Sequence, residues 1–395
     1  MNGWNWLTKA QTPATWSFIV RVLLKASAMF IVLNVLFALL RPLPTIGQWS
    51  IYGWLVPYRE RLPYGETPLA NNLSLNSLEA MFATHALNRP KAGDEFRVLV
   101  VGDSGTWGIQ LTPQDTTTGA LNALGLRLGD GRRVVAYNVG HPIMSATKDL
   151  MLLEYARRYQ PDLVFWLVTL ESFPLERQLE PPLVQNNAPR VRALINGLGL
   201  PLASDDPRLL TRNFFEETLI GQRRALADWL RLQLFGVAWA TTGIDQVYPP
   251  YAPPTNDFDD SITWQTLAGD RPLERGDLAL DVLNAGARLL GNVPLVVVNE
   301  PIFIADGTNS NLRYNLWYPR WAYDDYRALL LQEADGGQWD IIDAWGIVPK
   351  EEFTDSPVHL SAKSTRLLVS VLADYLADVG ISYARTHEAT RHTTP

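Results

Sequence analysis

Residues Arg97–Gln110 read RVLVVGDSGTWGIQ. Four apolar residues, Val98 to Val101, run without alternation into Gly102-Asp103-Ser104-Gly105, and the chain then turns polar. An unbroken apolar run of strand length, bounded by glycine, marks a strand buried on both faces. A serine boxed between an aspartate and two glycines at its end fits either a tight turn or a nucleophile raised at a sheet edge. The rest of the chain decides between them.

Working outward, the pattern repeats. Phe96–Asp103, Arg133–Val139, Leu163–Leu170, Val293–Asn299 (VPLVVVN) and Trp339–Ala344 (WDIIDA) each read as strands. Between them, Pro113–Arg127 is helix-like, and Ser145–Tyr159 places Leu150, Leu153 and Ala156 on one helical face. A final stripe of Leu367, Leu368, Val371, Leu372, Tyr375, Leu376 and Val379 closes the domain. Strands alternating with helices predict an α/β fold with a parallel sheet covered on both faces. In such sheets function collects at the carboxyl ends of the strands, where Ser104 falls. The stretch 174–290 interrupts this rhythm. Within it Phe214–Phe235 reads as an amphipathic helix, which suits a membrane surface, a cover over the active-site cleft or an ordinary surface helix. The Pro-rich run Tyr248–Asp260 reads as an exposed loop.

The N-terminal region has a different character. From Phe18 to Leu40, 19 of 23 residues are apolar, interrupted only by Arg21, Lys25, Ser27 and Asn34. That length spans a hydrocarbon core of about 30 Å. Trp4, Trp6 and Trp16 on one side, with Trp49, Tyr52 and Trp54 on the other, resemble interfacial aromatic belts. No small-residue cleavage site follows, since Leu40 leads into Arg41-Pro42-Leu43-Pro44. The expected organisation is a tail over 1–17, a single transmembrane anchor over 18–40 and a linker or lead-in over 41–95. The α/β domain over 96–385, carrying the largely helical insertion at about 174–290, and a disordered tail over 386–395 follow. Basic residues flank the anchor on both sides, so charge alone leaves its orientation open. The anchor-then-domain layout and the lack of cysteine lean toward a domain outside the cytoplasm.

Composition removes several function classes. A net charge of −7 argues against general nucleic-acid affinity. With no cysteine there is neither disulfide, thiolate zinc site nor cysteine nucleophile. The five histidines, His85, His141, His359, His387 and His392, lack metal-ligand spacing, so neither metal nor cofactor is expected.

A serine hydroxyl is a weak nucleophile until a base takes its proton, and that base needs an orienting carboxylate. FTDSPVHLSAKSTRLL, Phe353–Leu368, supplies both: Asp355 lies four residues before His359, on a loop that Pro357 keeps from being helical. Ser361 is placed to cap the following helix. After the fourth strand, Asn299 and Glu300 are expected to face the cleft of Ser104. The aromatic, Arg-containing stretch after them, with Tyr314, Trp317 and Arg320, suits either sugar binding or packing on the domain.

VLVVGDSGTWG resembles the first conserved block of the SGNH/GDSL hydrolases, and FTDSPVHLS resembles their last. The resemblance covers about residues 96–170 and 290–380. It implies a flavodoxin-like three-layer α/β/α sandwich, with Ser104 as nucleophile and Asp355 and His359 completing the triad. Gly140, in YNVGHPIMSA, matches the family's backbone oxyanion donor, beside the N–H of Ser104. Asp103 belongs to the same block. Where the family carries an oxyanion-hole Asn, this chain has Thr169-Leu170-Glu171-Ser172, which leaves Thr169 as the replacement. The family's aspartate lies three residues before its histidine; here that position is Ser356. Both departures resemble membrane-anchored envelope O-acyltransferases. The reading is therefore a membrane-anchored serine esterase or O-acyltransferase working on acyl esters of a cell-envelope glycan. Its partners would be membrane lipid and a membrane acyl-donor protein. Two alternatives stay open: an inactive glycan-binding or assembly subunit on the same fold, and a lipase or thioesterase acting on bilayer lipid.

Overall fold

The computed structural model describes residues 15–65, 73–246, 251–269 and 271–391. Trp4, Trp6, Lys9, Tyr248 and the end of the C-terminal tail, 392–395, lie outside the described residues. Five strands, β1 Glu95–Val101, β2 Arg133–Asn138, β3 Leu163–Val168, β4 Leu295–Asn299 and β5 Asp340–Asp343, form one parallel sheet in the order β2-β1-β3-β4-β5. They are the five runs read from the sequence, trimmed by up to two residues at an end except that β1 starts one residue earlier, at Glu95.

Alternate residues of each strand enter different cores, which is why the runs do not alternate in polarity. Leu99, Val101, Val164, Trp166, Val168 and Val297 face one core; Phe96, Val98, Val100, Phe165, Leu167 and Val298 face the other. Helices cover both faces. Among the described residues the helices of at least seven residues, with the four-residue α2 that follows β1, are in chain order α1 Trp16–Leu40, α2 Ser104–Trp107, α3 Thr117–Ala123, α4 Ala146–Ala156, α5 Ala188–Leu198, α6 Arg223–Thr242, α7 Asp281–Leu290, α8 Arg320–Asp335 and α9 Ala362–Arg391. Helices α4 and α7 pack together over the first face, and α3 and α9 over the second. The chain leaves β1 for β2 on one side and returns to β3 on the other. The resulting crevice opens beyond the carboxyl ends of β1 and β3, the place where doubly wound sheets bind ligands.

Three expectations change. The helix read over Pro113–Arg127 is a single tight turn at Pro113–Asp115 followed by α3. The helix read over Phe214–Phe235 begins only at Arg223 and runs on to Thr242. Before it, the Asn213 side chain accepts the N–H groups of Phe215 and Glu216 and holds the chain in turns. The expected lead-in also takes part in the domain. Leu62, Leu75, Leu78, Met81, Phe82 and Leu87 are buried in the larger core. Arg61 lies over the Trp107 ring at 4.3 Å and donates to Gly108 O at 2.9 Å, while Trp107 Nε1 donates to Leu62 O at 2.8 Å. One N-terminal helix, α1, is long and apolar enough to cross a membrane, with a mean hydropathy of 2.3; only Asn34 and Ala38 on it are buried.

Candidate active site

The chain leaves β1 through Gly102 and starts α2 at Ser104, with Asp103 as the capping residue whose Oδ1 accepts the Gly105 N–H at 2.8 Å. This sharp strand-to-helix turn leaves Ser104 half-buried at the crevice. From the other end of the domain comes a short hairpin-like loop. Phe353 bridges Leu360, and the Thr354 N–H donates to His359 O at 2.8 Å. The turn sets Asp355 beside His359, so Nδ1 of the imidazole donates to Asp355 Oδ1 at 2.7 Å. That bond fixes the tautomer and leaves Nε2 as an acceptor for the Ser104 hydroxyl at 2.8 Å. Ser356, where family spacing would put the acid, accepts instead from the Val358 N–H at 3.4 Å. The additional residue is absorbed inside the closed turn.

Two contacts hold the loop in place. Phe303, just after β4, donates its N–H to Pro357 O at 2.7 Å. A Cβ on Gly105 would come within 3.1 Å of Val358 O and 3.3 Å of Glu300 Oε2, so the bare glycine lets the histidine loop settle on α2. Burial opposes ionisation of Asp355, but hydrogen bonds from His359 and Thr354 outweigh it and hold the carboxyl below its usual range. Asp355 is therefore an anion able to stabilise an imidazolium.

The expected oxyanion groups fare differently. The Ser104 N–H donates to no group among the described residues and opens the first turn of α2. Gly140 lies against this turn, its Cβ position 2.5 Å from Trp107 N, but its N–H is taken by Asn138 Oδ1 at 3.0 Å. Thr169 does not replace the missing Asn. It is fully buried, its hydroxyl donates to Tyr318 at 3.0 Å, and its N–H donates to Ser172 Oγ at 3.2 Å.

Of the residues expected to bind substrate, Asp103 and Glu300 lie at the site, beneath it rather than in its opening. Both are buried. Burial raises the Glu300 carboxyl well above its usual range, and the neighbouring Asp103 and Asp149 carboxylates raise it further. Burial also raises Asp103, against the pull of Lys148. Asp103 Oδ2 and Glu300 Oε1 accept no N–H among the described residues. Burial and the closeness of the two carboxyls therefore both favour the protonated form of Glu300. The other four expected residues are structural. Asn299 donates to Asp343 Oδ1 at 2.8 Å and accepts from Tyr323 and Tyr326. Tyr314 donates to Asp324 Oδ1 at 2.8 Å, and Arg320 lies over its ring while bonding Ser310 O. Trp317 packs against the larger core, so this stretch is the packing alternative.

Sequence reasoning missed the cation under the site. Lys148, fully buried on the first turn of α4, donates to Gly102 O at 3.2 Å and to His141 O, and pairs with Asp149 Oδ1 at 2.9 Å. Burial, with Asp103 close by, pushes Asp149 up to about 6 despite that partner. His141 is held neutral, pushed down to about 3 by burial and by Lys148. The available signal was Lys148-Asp149 opening a helix whose next residues, Leu150 to Leu153, are all buried.

The chain matches no protein-family model and no curated protein. Its own geometry joins the Ser104 hydroxyl to one imidazole nitrogen of His359 and the Asp355 carboxylate to the other, beside a Ser104 N–H that no described group accepts.

Proposed function

We propose that the protein is a membrane-anchored serine esterase or O-acyltransferase of the SGNH/GDSL type, acting on acyl esters of a cell-envelope glycan from outside the cytoplasm. The observation that carries this reading is the Ser104–His359–Asp355 chain of hydrogen bonds, 2.8 and 2.7 Å long. Ser104 Oγ attacks the ester carbonyl carbon while its proton passes to His359 Nε2, and the carbonyl oxygen gains the negative charge that the Ser104 N–H faces. The tetrahedral adduct collapses, the C–O bond to the alcohol breaks, and His359 returns the proton to the departing oxygen. Water or a sugar hydroxyl then gives its proton to His359 and attacks the acyl-serine, releasing acid or transferred ester and restoring Ser104. A membrane acyl-donor protein would supply the acyl group in the transfer case.

Labelling by a fluorophosphonate probe tests this. Wild-type protein should label and Ser104→Ala should not, with hydrolysis of p-nitrophenyl acetate lost in parallel. An unlabelled wild-type chain whose ester hydrolysis equals that of Ser104→Ala refutes the enzyme reading. A second reading, a glycan-binding or assembly subunit on the same fold, is favoured by Gly140 and Thr169 having their donors engaged. It predicts retained glycan binding in Ser104→Ala with no labelling of the wild type.

A further inference from the structure

We infer that residues 213–242, the turns before α6 together with the outer face of that helix, are embedded in the headgroup and upper acyl region of a lipid bilayer beside α1. The inference rests on the reading of α1 as a membrane anchor and adds a second contact that the sequence of α1 does not contain.

The first support is a direct bond. Asn34 is buried on an apolar helix that is mostly exposed; it donates to Phe30 O at 2.9 Å and accepts the Ile220 N–H at 3.1 Å. Asn34 and Ala38, one turn apart, are the two buried residues of α1, and the bond to Ile220 ties the first of them to this segment. Asn34 precedes Leu40 by six residues, which places it about 9 Å below the helix end, inside a hydrocarbon layer of about 30 Å. If α1 spans lipid, Ile220 is carried to acyl depth with it.

The second support is how the segment satisfies its backbone. Irregular chain is tolerated at that depth only when its polar groups are paired. Phe215 and Glu216 donate to Asn213 Oδ1, Glu217 to Asn213 O, Thr218 to Phe215 O and Ile220 to Asn34. Gly221 donates to Thr218 Oγ1 and Gln222 to Thr218 O, and the Gln222 side chain closes onto Glu216 O. Eight of the ten turn N–H groups from Asn213 to Gln222 are thus paired within the protein, Phe214 and Leu219 being the exceptions among the described residues.

The third support is a helix with two apolar faces. Leu232, Gly236 and Trp239 bury α6 against the domain, where a Cβ on Gly236 would sit 1.9 Å from Tyr52 Cε2. Turned away from that core, Leu230, Leu234 and Phe235 are exposed, and Phe214, Phe215 and Ile220 continue the patch; Phe215 is 79% and Leu234 68% exposed. Trp229 donates to Trp49 O at 3.3 Å, and Trp49 itself is exposed, as an interfacial tryptophan is. Arg212, Arg223, Arg224 and Arg231, with Glu216, Glu217 and Asp228 among them, bring a mixed charge suited to headgroup level. A soluble partner or a second copy would have to share this face with the lipid already surrounding α1, so the occupant is the bilayer.

The chain has no cysteine, so one introduced thiol carries the only label. Full-length Val32→Cys, Phe215→Cys, Leu234→Cys and Leu331→Cys are labelled with an environment-sensitive nitrobenzoxadiazole. They are then placed in phosphatidylcholine/phosphatidylglycerol vesicles, with or without bromine on the upper acyl chain. Quenching by brominated lipid at Val32, Phe215 and Leu234, and none at Leu331 on α8, is the expected result. Quenching at Val32 alone overturns this inference and keeps the anchor; no quenching at Val32 overturns the anchor and the inference with it. Equal quenching at Leu331 and Phe215 overturns it, because the surface is then unselective. Unquenched Phe215→Cys that a short bis-maleimide couples into dimers assigns the face to a second copy and overturns it too.

Discussion

Asp355 keeps 31% of its side chain exposed, against 9% for His359 in front of it, and the difference sets what each contributes. Water competes for the Asp355 carboxylate, yet the imidazole tautomer still depends on it. Asp355→Asn should therefore lower the turnover of p-nitrophenyl acetate by on the order of a hundredfold, the low end for loss of such an orienting acid. A loss within twofold would remove Asp355 from the mechanism. Lys148 works by a different logic. It is fully buried with Asp149 as partner, and removing one member of a buried pair leaves an uncompensated charge. Lys148→Met should cost about 3–5 kcal/mol in urea unfolding. The double variant Lys148→Met/Asp149→Leu should recover part of that; equal losses in single and double variants would refute the pairing argument.

Among elements, the His359 loop and α2 meet closely at Gly105, where a Cβ would be tight. Gly105→Ala adds a methyl 3.1 Å from Val358 O and 3.3 Å from Glu300 Oε2. The loop would give by a few tenths of an ångström while the sheet stays intact. Turnover of p-nitrophenyl acetate should fall by up to about tenfold at unchanged circular dichroism, less than the roughly hundredfold that a 1 Å displacement costs. Unchanged turnover would show that the contact does not position His359. Elements of this kind also show where the sequence could be read and where it could not. The five strands were legible because burial on both faces leaves unbroken apolar runs, and Ser104 because it ends one of them. His359 and Asp355 were legible because Pro357 marks a loop. The start of α6 was not: hydrophobic spacing continues back through Phe214, while Asn213, a side-chain competitor for backbone N–H groups, breaks the helix. Nor were the roles of Gly140 and Thr169, which are decided by partners distant in kind, an asparagine two residues back and Tyr318 across the fold.

At the scale of the molecule, buried histidines tie stability to pH. His141 is held neutral down to about 3, whereas in an unfolded chain it titrates at its ordinary 6.5. Between those values the unfolded state binds a proton that the folded state does not. Its contribution is complete above about 6.5 and is lost as pH falls toward about 3, at ~1.4 kcal/mol per pH unit. His141→Gln should flatten the stability-versus-pH curve by that slope, measured by urea unfolding across the window; an unchanged slope would mean that His141 titrates in the folded protein. A last consequence concerns timing. Ser104 and its base are 255 residues apart in the chain, and the base arrives on a loop fastened to the segment after β4. A ribosome or translocation channel delivers the nucleophile long before the imidazole. Through most of its synthesis the growing polypeptide holds a serine without its imidazole partner, and esterase activity of the kind proposed would begin only when the final loop docks.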